Sequence, residues 1–177
     1  MVFSDPAISF AQPADAGEIT ALLNSSYRGE PSRRGWTTEA DLIAGDIRTT
    51  TEEVVSLINR SDADFLLLRA SDQLLGCINL QQQDDQIYFG MFSVQPALQG
   101  RGYGKRLLNA VEEYALQFNF RSIYMSVIAV RRELIAWYER HGYSDTGERR
   151  IFLEDGISGR HLQPLEFITM VKVIKNG

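Results

Sequence analysis

The chain has 177 residues, of which 44% are hydrophobic and 23% charged, so we predict a single globular domain over residues 1–177. Its 18 basic and 23 acidic side chains give a formal charge of −5, which argues against a nucleic-acid partner. One cysteine excludes an internal disulfide framework, residues 1–13 lack a signal-peptide pattern and no apolar run is of membrane-spanning length. We therefore expect a cytoplasmic protein with no membrane partner.

The amino-terminal part of the chain predicts a short strand followed by a helix. Residues 7–10 are apolar enough for the strand. Asp15 and Glu18 stand three apart, the spacing of a capping box, and Ile19 and Leu22 begin the apolar face of the helix that follows.

A long irregular connection over residues 28–48 follows, and connections of this length inside a compact domain are often functional. Within it, Thr38 with Asp41 predicts a cap for a short helix through Ile43. Thr50 and Glu53 then repeat the capping spacing and predict a second full helix.

Three apolar-rich runs separated by short polar turns predict an antiparallel meander. These runs are residues 64–70, 74–81 and 86–94. Cys77 lies among apolar neighbours in the second run, so we interpret it as a buried strand residue and not as a nucleophile.

The second half of the chain predicts a strand, helix, strand unit and a closing hairpin. A helix over residues 101–118 must cross over to the strand 121–128, so that strand is predicted to run parallel to 86–94. Residues 131–141 predict a further helix that ends at a left-handed Gly142. The closing pair of strands is expected at residues 143–153 and 165–174.

The sequence Gln99-Gly100-Arg101-Gly102-Tyr103-Gly104 joins a strand to a helix. Glycines at such a junction let backbone N–H groups converge on an anion at the positive end of the helix, which predicts a phosphate-bearing ligand. A P-loop is excluded, because Gln99 stands where its first glycine is needed and Lys105 is followed by an arginine. A dinucleotide fingerprint also fails, because its third glycine comes one residue early.

The remaining pattern, Gln-x-x-Gly-x-Gly after Val94-Gln95-Pro96, resembles the acetyl-CoA-binding motif of the GNAT superfamily of N-acetyltransferases. Residues 137–143, Trp-Tyr-Glu-Arg-His-Gly-Tyr, resemble the tyrosine-containing helix of the same family. The resemblance implies a three-layer α/β (α+β) fold. Its mixed, mostly antiparallel central sheet carries a parallel pair at the fourth and fifth strands, which splay after residues 92–94, and has helices on both faces.

The resemblance also implies a coenzyme A site. The backbone of Phe92 and Val94 would bind pantetheine, and the Val94 N–H would lie near the acetyl oxygen. The residues implied for the pyrophosphate cradle are Gln99, Gly100, Arg101, Gly102, Tyr103, Gly104 and Lys105.

Tyr138 is the candidate general acid, because its phenol could protonate the departing thiolate; the alternative is a tyrosine packed in the core. Many relatives carry an asparagine where this chain has Arg131, which either contacts the coenzyme or is a solvated arginine at a helix start. In some relatives a glutamate activates the amine, but Tyr88 occupies that position, so no direct carboxylate base is apparent. The alternatives are a water chain that ends on a distant carboxylate or on a backbone carbonyl, and a histidine, His141 or His161.

The acceptor is expected between the first two helices and the last hairpin. Candidate lining residues are Tyr27, Arg33, Arg34, Trp36, Glu39 and Tyr88, with residues 154–161 opposite. Arg33 and Arg34 would select a carboxylate-bearing acceptor, whereas Glu39 would favour an amine-rich one.

The predicted activity is acetyl transfer to a primary amine of a small molecule or amino-acid-like substrate in a ternary complex. Protein N-terminal or lysine acetylation and a non-catalytic coenzyme A sensor are the alternatives. The two histidines and one cysteine lack ligand spacing, so no metal is expected, and both a monomer and a homodimer stay open.

Overall fold

The computed structural model of the protein describes residues 1–174, so the last three residues of the predicted domain lie outside the described part. The helices are α1 (Ala16–Tyr27), α2 (Gly29–Ser32), α3 (Thr51–Ile58), α4 (Tyr103–Gln117) and α5 (Arg132–Arg140). The strands are β1 (Ile8–Phe10), β2 (Ile43–Ala44), β3 (Ala63–Ala70), β4 (Gln73–Gln83), β5 (Gln86–Val94), β6 (Ser122–Ile128), β7 (Ser144–Phe152), β8 (Arg160–His161) and β9 (Leu165–Val173).

A seven-stranded mixed sheet in the order β1-β3-β4-β5-β6-β9-β7 forms the centre of the fold, and β2 pairs separately with β8. The predicted meander is confirmed, because β3, β4 and β5 are successive antiparallel neighbours. The crossover prediction is also confirmed: β5 and β6 run parallel, with Tyr88 opposite Tyr124. The closing strands pair antiparallel as expected.

Helices cover both faces of the sheet because successive residues of β3 point to opposite sides. Leu66 and Leu68 belong to the core beneath α4, whereas Phe65 and Leu67 pack with α1 and α3. The predicted three-layer architecture is therefore confirmed. None of the helices formed by residues 1–174 combines the length and the hydrophobicity needed to cross a lipid bilayer.

The predicted helix caps have different outcomes. The Thr50 hydroxyl accepts a hydrogen bond from the Glu53 N–H (3.2 Å), and Gly142 has a φ of +91°, so both of these predictions are confirmed. The Asp15 cap is wrong, since the Asp15 carboxylate accepts from the Gln12 N–H (2.7 Å) and caps a preceding 3₁₀ turn. Both acids of that predicted box form ion pairs with Arg69.

The predicted short helix through Ile43 is wrong, because Ile43 lies in β2 and is paired with His161 of β8. Ile43 is buried against Ile128 and Leu165, which makes the extended conformation favourable at this position. The connection over residues 28–48 is thereby attached to the loop that precedes β9.

Strand β5 contains a bulge that the sequence did not predict. Gly90 pairs with Asn79 and Ser93 with Cys77, so Met91 and Phe92 together oppose a single residue, and Met91 has a φ of +47°. The β5–β6 ladder ends at Tyr88. The splay was predicted after residues 92–94 and instead begins before them, because a bulge bends and twists its strand.

Candidate active site

The glycine turn presents open backbone at the start of α4. Gly100 and Gly102 have φ values of +80° and +85°, in the left-handed region that favours glycine. Gly102 is the N-cap of α4, no side chain caps this end, and the first turn has no acidic residue. The first N–H groups of the helix and its positive dipole end are therefore available to an anion.

A cavity of about 490 Å³ lies against this turn, and we call it the donor cavity. The predicted cofactor residues that line it are Phe92, Val94, Gln99, Gly100, Gly102, Tyr103, Gly104, Lys105 and Tyr138. A Cβ at Gly104 would lie 3.4–3.5 Å from Trp137 and Phe92, so glycine keeps this part of the cavity open.

Two of the predicted cradle residues have side chains that are not available to a ligand at the cavity wall. The Gln99 amide donates to the Thr37 hydroxyl (2.8 Å) and the Val94 carbonyl (3.1 Å), so this side chain fixes the turn internally. Arg101 is exposed and lies outside the cavity lining, whereas Lys105 is an exposed cation at its edge.

A second cavity of about 180 Å³, the acceptor cavity, adjoins the donor cavity. The side chains that line both are Tyr27, Phe92, Leu134 and Tyr138. Groups bound in the two cavities would therefore come together at these shared side chains.

Tyr138 is the phenol best placed at this junction. Its side chain is only 5% exposed, and burial, more than any other effect, raises the pKa of its phenol well above the ordinary value. Tyr27, which also lines both cavities, donates its hydroxyl proton to the Phe92 carbonyl. Tyr138 has no hydrogen-bond partner for its hydroxyl among the described residues, so that group is free to meet a ligand.

The acceptor cavity is strongly basic. Arg48, Arg131 and Arg150 line it together with one carboxylate, Glu39. Glu39 forms ion pairs with Arg131 (3.3 Å) and with Arg28, which lies behind the cavity and is 1% exposed.

The burial of Arg131 contradicts one of its two sequence-based alternatives. It is 4% exposed, so a solvated arginine at the start of the helix is wrong. Its side chain lines the acceptor cavity and not the donor cavity, because the N-terminus of α5 lies beside Glu39.

The remaining predicted acceptor residues separate into two groups. Trp36 lines the donor cavity, where its ring lies 6.3 Å from that of Trp137, and Tyr88 lines the acceptor cavity. Arg33 forms a surface ion pair with Asp41 (2.8 Å), and Arg34 is exposed, so neither arginine contributes to a cavity wall. No sequence motif pointed to Arg48 or Arg150, which lie outside the glycine turn and the tyrosine-containing helix.

The two histidines are engaged in structural contacts. His141 Nδ1 lies 2.7 Å from the Trp137 carbonyl oxygen, at the end of α5, and its ring also borders the donor cavity. His161 packs its ring 4.6 Å from that of Phe152. Within residues 1–174, three or more His, Cys, Asp or Glu side chains are nowhere grouped so as to bind a metal ion.

An open trough of about 610 Å³ continues from the acceptor cavity along strands β4, β5, β6, β7 and β9 of the sheet. Tyr88, Ser126 and Arg150 border both spaces. Most of the other side chains that line the trough are polar, among them Gln81 and Glu148.

The family described as Acetyltransferase (GNAT) matches residues 19–143, a segment that includes the glycine turn and Tyr138. The chain belongs to the GNAT family of acetyltransferases. Its predicted family resemblance is thereby confirmed, and the acetyltransferase class follows from it.

Solved structures of GNAT proteins share the fold at low sequence identity. The ribosomal-protein-S18-alanine N-acetyltransferase of Escherichia coli superposes with a TM-score of 0.71 at 17% identity, covering 96% of this chain and 94% of that one. A spermidine N-acetyltransferase chimera from Vibrio cholerae gives 0.68 at 16% identity, over 94% and 93% of the two chains. A GNAT acetyltransferase of Streptococcus pneumoniae gives 0.65 at 20% identity, over 95% and 98%.

Proposed function

We propose that this GNAT protein transfers the acetyl group of acetyl-CoA to a primary amine of a small or amino-acid-like molecule, with both substrates bound at once. The observation that carries the proposal is the meeting of two cavities at Tyr138, one beside a phosphate-type glycine turn and one lined by arginines. Two adjoining cavities suit direct transfer, since they hold the reactants against each other.

The residues of the donor cavity fit coenzyme A. The N–H groups at the start of α4 would hold the pyrophosphate, with the Lys105 ammonium at the edge. Phe92 and Val94 would border the pantetheine, where the bulged and splayed β5 leaves its backbone beside the cavity. When bound, acetyl-CoA supplies an activated acetyl thioester.

Tyr138 is proposed to hold a proton at its phenol oxygen beside the reacting groups. Because burial raises its pKa, the phenol stays protonated at neutral pH and can donate a hydrogen bond to the departing sulfur. One proton leaves the amine nitrogen as the amide forms, and the Tyr138 hydroxyl is placed to pass it to the sulfur.

The amine must enter as its neutral form, because an alkylammonium has no lone pair. Glu39 is the carboxylate of the acceptor cavity wall, but its oxygens face Arg28 and Arg131, so it is a poor candidate for the base. The arginines of the cavity disfavour the further positive charge of an ammonium group there, and they therefore promote loss of the ammonium proton to water.

A protein acceptor is the second candidate, favoured by the open trough beside the acceptor cavity. A peptide could extend along it with its amine directed past Tyr88. The size of the trough is the observation in its support, and acceptor assays decide between the two.

The test is calorimetric titration with acetyl-CoA, followed by measurement of thiol release with amino acids, polyamines and short peptides. We expect micromolar binding and release of one thiol per acetyl group transferred. No binding at millimolar acetyl-CoA would contradict the proposal, whereas binding without thiol release for every acceptor would favour a coenzyme A sensor.

A further inference from the structure

We propose that the acceptor of this enzyme carries a carboxylate next to its amine, and that Arg48, Arg131 and Arg150 bind that carboxylate in the acceptor cavity. This inference rests on the proposed function and names the substrate class: an α-amino acid or a close analogue. A polyamine is the opposite case, since it brings only positive charge.

The charges around Glu39 leave the wall of the acceptor cavity positive. Its carboxylate is shared by Arg28 and Arg131, so it offers no free negative charge to a cationic ligand. A buried carboxylate with two guanidinium partners leaves a net positive charge. The wall of the cavity therefore repels an ammonium group and attracts an anion.

The other two arginines, Arg48 and Arg150, have no carboxylate partner among residues 1–174. The Arg48 guanidinium carbon lies 5.8 Å from the centre of the Tyr27 ring, and Arg150 lies 5.4 Å from that of Phe167, with a long 3.5 Å contact to the Ser126 hydroxyl. Both guanidinium groups line the same cavity, so the carboxylate of a bound ligand can pair with them there.

Their charge acts inside the cavity. Burial raises the pKa of Tyr88, and the positive charges of Arg48 and Arg150 oppose part of that rise. The two guanidinium groups therefore act on the same buried wall residue from different strands and loops.

Arg131 has an unpartnered buried nitrogen. The residue is 4% exposed, and among residues 1–174 its Nη2 has no hydrogen-bond partner. A buried donor left unpaired costs about 1–3 kcal/mol, and more when it is charged, so an acceptor that pairs with this nitrogen would be favoured. A carboxylate in the adjoining cavity supplies the missing acceptor oxygen after a small movement of the side chain.

The size and position of the cavity restrict the acceptor further. About 180 Å³ is less than the volume of a cavity for a drug-sized ligand, and suits a molecule of amino-acid size. The cavity meets the donor cavity at Tyr138, so an α-amine one carbon away from a bound carboxylate can lie at the junction. Met125, Val127 and Phe152 also line it, which favours an apolar side chain on the acceptor.

The decisive experiment measures binding without turnover. N-acetyl-L-methionine and its carboxamide, which differ only in the negative charge, are titrated by calorimetry into the protein with and without coenzyme A. We expect the carboxylate to bind about 10- to 100-fold more tightly than the carboxamide, the range for hydrogen bonds to charged groups. Equal affinities, or no binding of the carboxylate at millimolar concentration, would overturn the inference.

Variants assign the effect to particular residues. Arg48→Gln and Arg150→Gln should each reduce the preference for the carboxylate about 10-fold, while the affinity for the carboxamide changes little. Arg149→Gln is the matched control, because Arg149 is next in sequence to Arg150 but pairs with Asp145 on the surface. Arg131→Gln is the third variant. If this variant does not fold, the Arg48 and Arg150 variants, at less buried positions, still test the assignment. An unchanged preference in both single variants would refute the assignment.

The same titrations separate this inference from the proposed function. A carboxylate that binds selectively in a protein without thiol release would leave the anion site standing and count against acetyl transfer alone. Thiol release with spermidine or with the amino-acid carboxamides, and none with free amino acids, would leave acetyl transfer standing and overturn the carboxylate site.

Discussion

The donor cavity and the acceptor cavity share four side chains, yet they are stabilised by different means. The donor side is formed by backbone: a turn with two left-handed glycines, an uncapped helix start and a bulged strand. The acceptor side depends on the buried charges of Arg28, Glu39 and Arg131, which come from the connection over residues 28–48 and from the start of α5.

This difference determines which property a mutation on each side changes. A backbone site loses ligand affinity when a glycine is replaced, and the fold changes little. Where a site depends on buried charges, removing one partner lowers the stability of the folded protein, because the remaining charges stay buried without it. The following changes test that distinction.

Replacing the central carboxylate should have the largest effect. Glu39→Ala leaves two buried guanidinium groups without their partner, and we expect a loss of about 3–5 kcal/mol in the free energy of unfolding, measured by urea titration. Asp41→Ala is the control: Asp41 pairs with Arg33 at the surface, so its loss should be below about 1 kcal/mol. Similar losses in both variants would show that the buried charges do not stabilise the acceptor side.

The junction is tested by Tyr138→Phe. Removing the hydroxyl should lower kcat by about 100-fold or more, whereas the affinity for acetyl-CoA should change less than about threefold. Tyr143→Phe is the matched control, because Tyr143 is a buried neighbour of Tyr138 whose ring lies 5.8 Å away and lines neither cavity. An unchanged kcat for Tyr138→Phe would contradict the role as a proton donor.

The donor side is tested by Gly102→Val. A β-branched residue at a φ of +85° costs about 1–2 kcal/mol or more and reorients the N–H groups of the turn, so we expect coenzyme A to bind at least about 10-fold more weakly. Gly147 has the same φ and equally open surroundings in β7. Gly147→Val should cost similar stability without changing coenzyme A affinity, measured by calorimetry; equal losses of affinity would contradict the cradle.

The smallest effect is expected at a surface ion pair on the donor side. Hydrogen bonds from the Arg106 guanidinium in the first turn of α4 hold the pKa of Asp5 below its ordinary value. The pair therefore stabilises the fold above about pH 4, and that contribution is lost as pH falls through the folded-state pKa. Asp5→Asn should cost less than about 1 kcal/mol at pH 7 and still less at pH 3, without weakening coenzyme A binding.

The sequence predicted the donor side because its determinants are contiguous. Six residues between a strand and a helix carry the turn, and Tyr138 lies in a second short motif. The acceptor side was not predictable in the same way, since Arg48 and Arg150 are separated by about 100 residues and meet only after the sheet forms.

Local patterns also missed features that depend on tertiary contacts. Met91 has a positive φ, although methionine is not a residue type that favours this conformation. The two-residue strands β2 and β8 are too short to show the alternating hydrophobic pattern of a strand. Asp15 has the spacing of a cap, but its carboxylate accepts a hydrogen bond from the Gln12 N–H and forms an ion pair with Arg69 instead.

The short pairing of β2 with β8 has a consequence for motion. It joins residues 43–44 to 160–161, the Leu162 amide donates to the Leu42 carbonyl at 2.9 Å, and Ile43 packs on Ile128, a residue of the acceptor cavity wall. A two-residue ladder opens at a lower free energy than the central sheet, so the amide hydrogen of Leu162 should exchange with solvent faster than those of β4. Such opening would separate Ile43 from Ile128 in the wall of the acceptor cavity, while the strands of the central sheet stay paired.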